Sequence, residues 1–502
     1  MDYTYDNPDC LWIHPDVPGD GVGTFEQPFS TLEAALARVK PGQAIVLQGG
    51  NYDGDCNIQV CGTAARPIRI VALPGAEVTV RSACWFFYDT SDLIVEGITF
   101  VDAPRCAISV VGTCNRNRFE GLRFINCSAR KEAACTLYIG GAGGECTIVE
   151  NCTFTRTAVG KSDSSPEDAS IGLMIAQGDM EHDNPIVHCL VRSNRIENYA
   201  YGIVVGGDES RSVRCGHIVE YNTVVNSSRE GILVKSADTQ IRSNIVREGS
   251  GTALSCRSML DGIVMDNRVV DCGRGIYVHG AGHSVTGNCL VRCSDGAVRV
   301  GGISQEYAGT TTNCFIESNT FIDCRSKNEG GSSAVSGVLF DKGTTGIIQN
   351  NLFSGAGRPY AVVDIVLPEP ESEAPGEPVS VTQFVIRDNL ATGGCQATDG
   401  VGAAAVSFDD TAEDDYSNPS GCGATGWSLK PQGFNPAVDA EDEEGVYRAA
   451  SVLEDEQGNP VIPGSEAAGE EERLFGNYYN EMSDDDDDQE DEVYSDNDGE
   501  EW

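Results

Sequence analysis

A short pattern built around one asparagine recurs along the middle of the chain and constrains its fold more than any other feature. The pattern reads apolar-x-x-Asn-x-aliphatic or aromatic, and its asparagines are Asn151, Asn194, Asn222, Asn244, Asn267, Asn288, Asn319, Asn351 and Asn389. From Asn194 to Asn288 the spacings are 28, 22, 23 and 21 residues. Because each unit holds two or three short strand-like segments with no helix between them, the repeat predicts an all-β fold, a right-handed parallel β-helix.

Stacked coils also account for the asparagines and for many of the cysteines. An asparagine at one place in every coil predicts an interior ladder, in which each side-chain amide bonds to its neighbours above and below. Cys272, Cys293 and Cys324 each follow their coil's asparagine by five residues, so we expect one interior column. Buried free thiols are the favoured interpretation of this column, with disulfides or metal ligands as the alternative.

The ends of the chain do not follow the repeat. Residues 1–28 are interpreted as an N-terminal extension and residues 29–410 as the β-helix. Ser30 or Thr31 is expected to cap an amphipathic helix within residues 30–40 that covers the first coil. Residues 411–482 are predicted to be irregular, and residues 483–502 to be a disordered acidic tail, because they contain too few apolar side chains to fold.

Charge is distributed unevenly around a net charge of −43. Residues 439–502 carry 25 acidic and 2 basic side chains, whereas residues 229–299 carry 7 acidic and 9 basic ones. An acidic surface argues against nucleic acid as a partner, because phosphate contacts need clustered lysine and arginine. The locally basic stretch instead predicts a site for an anion.

The sequence leaves the localisation open. It has no run of about 18 apolar residues, so no transmembrane segment is expected. The opening residues MDYTYDNPDC show neither the basic start nor the apolar stretch of a signal peptide.

Three proton-active side chains are predicted to stack on one outer face of the β-helix. In the segments GILVK, ALSCR and GIYVH the second and fourth residues should point inward and the third and fifth outward. Lys235, Arg257 and His279 end these segments, 22 residues apart, and would stack about 4.8 Å from one another. A solvated charged ladder is the alternative to a functional site. A guanidinium beside an ammonium favours loss of the ammonium proton, as a general base requires.

Several neighbouring residues are further candidates. Tyr277 lies in the adjacent outward column, either as a second proton carrier or as an aromatic platform for a sugar ring. Arg229 and Glu230 lie in the turn before Lys235. Glu230, Asn198 and Asn226 offer oxygen atoms of the kind that Ca²⁺ prefers, so a bound calcium ion is a further possibility.

Residues 190–300 resemble polysaccharide lyase family 6, which contains alginate lyases and chondroitinase B. That family has a strand with a V-K-S triplet, an R-H-G strand one coil later, and then G-I-R-x-x-G-x-x-H-x-V-x-N-N. The corresponding runs here are EGILVKSADTQIRSNIV, GTALSCRSM and RGIYVHGAGHSVTGN. The resemblance implies β-elimination on a uronate-containing anionic polysaccharide, with Lys235 as the base at C5 and Arg257 as acid or charge stabiliser. It also implies Ca²⁺ as the usual cofactor and an extracellular or cell-surface location.

The chain departs from the family pattern at several positions. The R-H-G triplet is Arg257-Ser258-Met259, the arginine of G-I-R is Tyr277, and Ser228 stands where the first acidic calcium ligand would be. These departures predict a calcium-independent site, a different anionic glycan or a site without catalysis. Positive charge from His279, His283 and Arg299 would compensate for the missing groups in substrate binding.

We therefore predict a lyase of acidic polysaccharides, with two alternatives. One is a noncatalytic carbohydrate-binding or surface-structural β-helix, and the other is a uronate C5-epimerase, although the DPHE motif of mannuronan epimerases is absent from the sequence. Glycoside hydrolysis requires two opposed carboxylates, which the predicted outward columns do not provide.

Overall fold

The computed structural model describes most of residues 3–395 and five short strands between residues 401 and 461. Within residues 3–395, the parts outside this description are residues 6, 20, 129–134, 158–169, 183, 208–211, 259, 302–310, 328–333, 342–343, 364–382, 393–394. The acidic tail predicted for residues 483–502 and most of the irregular region predicted for 411–482 lie outside the described residues.

Three long sheets contain nearly all the described strands. Sheet A has 14 strands, in the order Cys10–Ile13, Ala44–Leu47, Ile68–Ala72, Leu93–Glu96, Arg118–Glu120, Ile148–Glu150, Leu190–Arg192, Ile218–Glu220, Gln240–Arg242, Ile263–Met265, Ser284–Thr286, Cys314–Glu317, Thr345–Gln349, Gln383–Arg387. Sheet B has 14 strands, in the order Gly50–Asn51, Val78–Arg81, Thr99–Val101, Arg123–Ile125, Thr153–Thr155, Arg195–Glu197, Thr223–Val225, Ile245–Arg247, Arg268–Val270, Cys289–Val291, Thr320–Ile322, Leu352–Ser354, Asn389–Thr392, Val401–Ala403.

Sheet C carries the outer face on which the site was predicted. Its strands are Cys56–Ile58, Trp85–Tyr88, Ile108–Val111, Cys135–Ile139, Ile171–Ile175, Tyr201–Val205, Glu230–Val234, Thr252–Cys256, Arg274–Val278, Val298–Val300, Ala334–Asp341, and the last of these also pairs with Arg358–Val363 and, antiparallel, with Ser326–Lys327. Successive coils contribute one parallel strand to each sheet, which confirms the right-handed parallel β-helix.

Smaller elements complete the described chain. A four-stranded sheet contains Cys114–Asn115, Gly144–Glu145, Asn184–Val187 and Gly178–Asp179, beside a short 3₁₀ helix at Met180–His182. Within the unit of residues 1–437, Val406–Phe408 pairs antiparallel with Leu429–Pro431. Within the unit of residues 438–502, Leu453–Glu454 pairs with Pro460–Val461.

The corner between sheets A and B explains the recurring asparagine. A single residue with positive φ makes the bend, and the ladder asparagine follows it, as at Ser243 (φ 53°) and Asn244. Each ladder Nδ2 donates to the Oδ1 of the next asparagine at 2.9–3.0 Å, continuously from Asn194 to Asn389. The interior ladder is therefore confirmed over these coils.

Asn151 is an exception, and its assignment to the ladder was wrong. It is exposed, has a φ of 54° and occupies the bend itself. Cys152 takes the ladder position in that coil, and its backbone N–H donates to the Oδ1 of Asn194 at 2.9 Å. The ladder thus begins one coil later than the sequence pattern indicated. The pattern did not distinguish the bend position from the ladder position, which is the next residue along the chain.

The interior is filled by columns of apolar side chains. Phe100, Phe124 and Phe154 stack from coil to coil, with ring centroids 5.4 and 4.6 Å apart. Cys272, Cys293 and Cys324 are buried in the same core, as the sequence predicted, and each is a free thiol. Burial raises the pKa of Cys272 to about 11, so this thiol stays protonated at neutral pH.

The N-terminal end is covered by a short helix, Leu32–Leu36, within the predicted range 30–40. Thr31 is its N-cap, because its Oγ1 accepts from the backbone N–H of Ala34 at 3.2 Å. Sheet A nevertheless starts before this helix, since Cys10–Ile13 pairs with Ala44–Leu47. The segment 1–28, predicted to be an extension, thus contributes the first strand. Among the described residues, no helix has the length and apolar character needed to cross a membrane.

Candidate functional site

The predicted alternation of side chains along sheet C is confirmed. Leu233, Ser255, Tyr277 and Arg299 are direct neighbours on successive strands, and they form one outward column. The residues predicted to point inward are core members: Ile232, Val234, Leu254, Cys256, Ile276 and Val278. Gly231, the second residue of its strand, packs tightly against the neighbouring coil, because a Cβ there would lie 2.6 Å from both Val246 Cγ1 and the Ala253 carbonyl oxygen.

Lys235, Arg257 and His279 follow these strands in equivalent places. Their backbone N–H groups donate to the carbonyls of Val205, Val234 and Cys256, at 2.8, 2.7 and 2.9 Å. The three residues are therefore one coil apart, which is the stacking that their spacing predicted. Lys235 and Arg257 are half-buried, whereas His279 is only 3% exposed.

Arg257 is held by three neighbours on the outer face of sheet C. Its Nη2 forms an ion pair with Glu230 Oε1, and its Nε donates to Ser255 Oγ at 3.1 Å. The guanidinium carbon also lies 5.4 Å from the centroid of the Tyr277 ring, in a cation–π contact. These contacts place Arg257 in a defined orientation beside the strand that precedes Lys235.

Glu230 is the buried anion of this cluster. Burial raises the pKa of its carboxyl, and the positive charges of Arg257, Lys235 and Arg274 oppose that shift. Its strand neighbours are Tyr201 and Thr252, and Arg274 lies one strand beyond Thr252. Arg257 is paired with Glu230 and Arg274 with Asp295, so Lys235 leaves a small excess of positive charge that favours an anionic ligand.

Arg299 extends the charged surface toward the C-terminal coils. It is the strand neighbour of Tyr277, and its Nη2 pairs with Asp341 Oδ1. Both side chains are largely buried, at 12% and 2% exposure. Arg229 lies at the other edge of the cluster, where its backbone N–H donates to the carbonyl of Ala200 at 2.9 Å.

His283 does not lie on this face. It is fully buried, its Nδ1 accepts from the Gly262 N–H at 3.0 Å, and its Nε2 donates to the His279 carbonyl at 2.9 Å. Its ring also contacts Cys256 Sγ at 3.8 Å. The chain turns inward after Val278 to start the next strand of sheet A, and this turn carries residue 283 into the core. The structure thus contradicts the suggestion that His283 supplies charge for substrate binding.

The predicted calcium ligands are engaged with other partners. Asn226 Nδ2 donates to Asn198 Oδ1 at 2.7 Å, and Asn198 Nδ2 donates to the Arg156 carbonyl at 2.6 Å. Glu230 is paired with Arg257. In the described part of the chain, no group of three or more His, Cys, Asp or Glu side chains could hold a metal ion. These residues do not fit a Ca²⁺ site, since Ca²⁺ takes six to eight oxygen ligands and the oxygens of Asn198 and Glu230 already bind Asn226 and Arg257.

Two residues of the cluster were not identified from the sequence. Arg274 could have been found, because it follows Glu230 by 44 residues, or two coils of the 22-residue spacing. Asp341 gave no such signal, because its coil is longer than the repeat and lies outside residues 190–300.

Comparisons with known proteins show that the fold is shared with other parallel β-helix proteins. The family described as "Periplasmic copper-binding protein (NosD)" matches residues 104–323. Pectate lyase PEL9 of Emericella nidulans is 32% identical over 72 residues, which is 14% of this chain. The match covers 18% of the length of that curated relative.

Solved structures of family 6 polysaccharide lyases are similar over much longer stretches. A mannuronic acid specific family 6 lyase from human gut microbiota has a TM-score of 0.51 at 19% identity, covering 73% of this chain and 86% of that one. The family 6 alginate lyase AlyGC has a TM-score of 0.54 at 15% identity, covering 90% of this chain and 59% of that one. The chain therefore has the right-handed parallel β-helix fold of the solved family 6 polysaccharide lyases.

Proposed function

We propose that this protein is a polysaccharide lyase that cleaves a uronate-containing anionic polysaccharide by β-elimination on the outer face of sheet C. The observation that carries the proposal is the placement of Lys235 one coil from Arg257, with Arg257 fixed by Glu230, Ser255 and Tyr277. A base and a fixed cation side by side are what proton abstraction next to a carboxylate requires.

The proposed reaction needs three events at the uronate. The Lys235 amine takes the proton at C5, and the electron pair left behind forms the C4–C5 double bond. The bond between C4 and the glycosidic oxygen breaks, and that oxygen takes up a proton from water. The Lys235 ammonium then gives its proton to the resulting hydroxide, which restores the free amine. Arg257 is assigned to charge stabilisation rather than proton donation, because a guanidinium stays protonated in proteins.

We further propose that the reaction is independent of calcium. Positive charge on this face is supplied by Lys235, by Arg257 beside Glu230 and by Arg274 beside Asp295. The uronate carboxylate would be neutralised by these side chains, in the place that the resemblance assigned to Ca²⁺. In this proposal, Asn198 and Asn226 have a structural role at the turn, where they are hydrogen-bonded to each other.

The test follows the ultraviolet absorbance of the unsaturated uronate product. The wild type and the Lys235→Ala and Arg257→Lys variants are assayed on alginate, chondroitin, dermatan and pectate, with and without EDTA. We expect activity on at least one polymer in both conditions. Lys235→Ala should lose about 10²–10⁴-fold in kcat, and Arg257→Lys about 10²-fold, because an ammonium cannot keep the forked contacts of a guanidinium.

Matched controls come from exposed charges outside the site. Lys40→Ala removes a surface lysine beyond the cap helix, and Arg292→Ala removes an arginine paired with Asp271 after a strand of sheet B. Both variants should retain activity. Binding of a polymer by the wild type without any product would contradict the lyase and support a noncatalytic carbohydrate-binding β-helix. Exchange of the C5 proton with solvent without chain cleavage would support an epimerase.

A further inference from the structure

The outer face of sheet C carries a second feature, a patch of aromatic side chains toward its N-terminal end. Phe86 and Tyr88 lie on the strand Trp85–Tyr88 and are 37% and 49% exposed. Tyr138 lies two strands further along the same face and is half-buried. We refer to Phe86, Tyr88 and Tyr138 as the aromatic patch.

The aromatic patch and the candidate site are joined by aligned columns of residues. Tyr138, Met174, Val204 and Leu233 are direct neighbours on successive strands, and Leu233 lies two residues before Lys235. From the strand of Phe86 to the strand of Leu233 there are five strand steps. At about 4.8 Å per strand, the aromatic patch begins roughly 24 Å from the candidate base.

Between the strands of Tyr138 and Lys235, the column that contains Lys235 carries only small, buried residues, whereas Val111 occupies this column beside Tyr88. Gly140, Ala176 and Gly206 precede Lys235 in successive coils, and each backbone N–H donates to the coil before it at 2.7–2.8 Å. No large side chain of this column therefore rises between Tyr138 and Lys235. A Cβ at Gly140 would collide with the ring and hydroxyl of Tyr138, so this side chain packs directly against the glycine.

We infer that the aromatic patch is a distal binding subsite for the same anionic polysaccharide chain that reaches Lys235. This inference rests on the proposed function for the identity of the polymer. Large exposed apolar groups in one place mark a binding surface. Tyrosine and phenylalanine rings offer a flat apolar face to the C–H groups of a pyranose ring, and the tyrosine hydroxyl also bonds to sugar hydroxyls. A pyranose unit is about as long as one strand spacing, so an extended chain of several units spans the distance.

The test measures binding without turnover. Full-length protein carrying Lys235→Ala is run through native gels that contain alginate, chondroitin sulfate, dermatan sulfate or pectate, and retardation gives the affinity. In this background, Phe86→Leu with Tyr88→Leu should weaken binding roughly tenfold, because two stacking faces are lost. Tyr88→Phe keeps the ring and should keep most of the affinity. Phe315→Leu is the matched control, since Phe315 is 43% exposed but lies on sheet A.

Each outcome decides the inference separately from the proposed lyase activity. Retardation that depends on the two rings supports the subsite even if the wild type releases no unsaturated product. Unchanged retardation in the double variant overturns the subsite, whether or not the wild type is a lyase. Absence of retardation in all four gels overturns it as well. Self-association that is lost in the double variant, with polysaccharide binding unchanged, would assign the patch to a second copy of this chain and also overturn it.

Discussion

At the scale of single residues, Glu230 determines how the candidate site is arranged. It is 6% exposed, and it forms an ion pair with Arg257. Removing one partner of a buried ion pair leaves the other charge buried and uncompensated. The resulting loss in the free energy of unfolding is larger than the contribution of the intact pair. Glu230 is therefore a positioning residue for Arg257, and its protonation state should be visible in the reaction.

The first prediction concerns the pH dependence of kcat. Burial raises the pKa of Glu230 above its usual value of 4.5, so its charge is lost at a higher pH than for an exposed glutamate. As the pH falls through that raised pKa, Arg257 loses its anionic partner and kcat should fall. Glu230→Gln should lower kcat by about 10–100-fold, because an Arg257 guanidinium that is no longer held in place stabilises the developing charge poorly. The variant should also lose the fall of kcat at acidic pH, since it has no carboxyl group to protonate. The measurement is a pH profile of kcat for both proteins.

A control separates this effect from unfolding. Because the folded-state pKa of Glu230 is raised, its contribution to the free energy of unfolding is fully present below 4.5 and is lost as the pH rises through the folded-state pKa. As the pH falls, the contribution of Glu230 to the free energy of unfolding thus increases, whereas kcat should decrease. An acidic limb that persists in Glu230→Gln would refute the positioning role.

Several site residues could be predicted from the sequence, and others could not. Lys235 and Arg257 lie in equivalent places because the 22-residue spacing fixes one coil per step. The pairing of Arg257 with Glu230 crosses from one outward column to another, and side-chain reach of this kind leaves no periodic signal. His283 was misplaced for a related reason, because alternation holds within a strand and ends where the chain turns.

At the scale of elements, the asparagine ladder supports the corner between sheets A and B. Asn244 is fully buried, and its Nδ2 donates to the Val219 carbonyl and to Asn267 Oδ1 at 2.8 and 3.0 Å. Its Oδ1 accepts from both the backbone N–H and the Nδ2 of Asn222, at 2.9 and 3.0 Å. The repeat was predictable because one amide satisfies so many buried groups that no other side chain of this size replaces it.

The second prediction therefore concerns stability. Asn244→Ala should lower the free energy of unfolding by roughly 3–5 kcal/mol, because buried polar groups in two neighbouring coils lose their partners. Urea unfolding followed by circular dichroism measures the change. Asn57→Ala, on an exposed position of sheet C, should stay within about 0.5 kcal/mol of the wild type. A loss at Asn244 no larger than at Asn57 would show that water replaces the ladder amide.

At the scale of the whole molecule, the β-helix gains its stability coil by coil, from sheet hydrogen bonds, stacked apolar columns and the ladder. In the described part of the chain, no three His, Cys, Asp or Glu side chains are grouped so that they could hold a metal ion. A ligand that binds only the folded state would raise the melting temperature by mass action. The thermal transition is thus a test of calcium binding that does not depend on catalysis.

The third prediction is that calcium leaves the melting temperature unchanged. The Glu230 carboxylate is paired with Arg257, and Arg274 and Lys235 add positive charge beside it, so a dication finds no favourable site there. Thermal unfolding of the full chain is recorded in EDTA and in excess Ca²⁺, with Mg²⁺ as the control for ionic strength. A rise of several degrees that is specific to Ca²⁺ would contradict our conclusion about the donor set.

The bend between sheets A and B has a consequence for how such a chain can vary. One bend residue and one asparagine separate Gln240–Arg242 from Ile245–Arg247. The same two-residue arrangement, a residue with positive φ followed by an asparagine, occurs in every ladder coil. The coils that exceed the repeat, with asparagines 31, 32 and 38 residues apart, take their extra residues before or after strands of sheet C. In the ladder coils, the extra residues thus occur next to strands of sheet C in the sequence, and none occurs at the described bends between sheets A and B. An engineer who wishes to alter the glycan preference can graft loops next to these sheet C strands and leave the scaffold untouched.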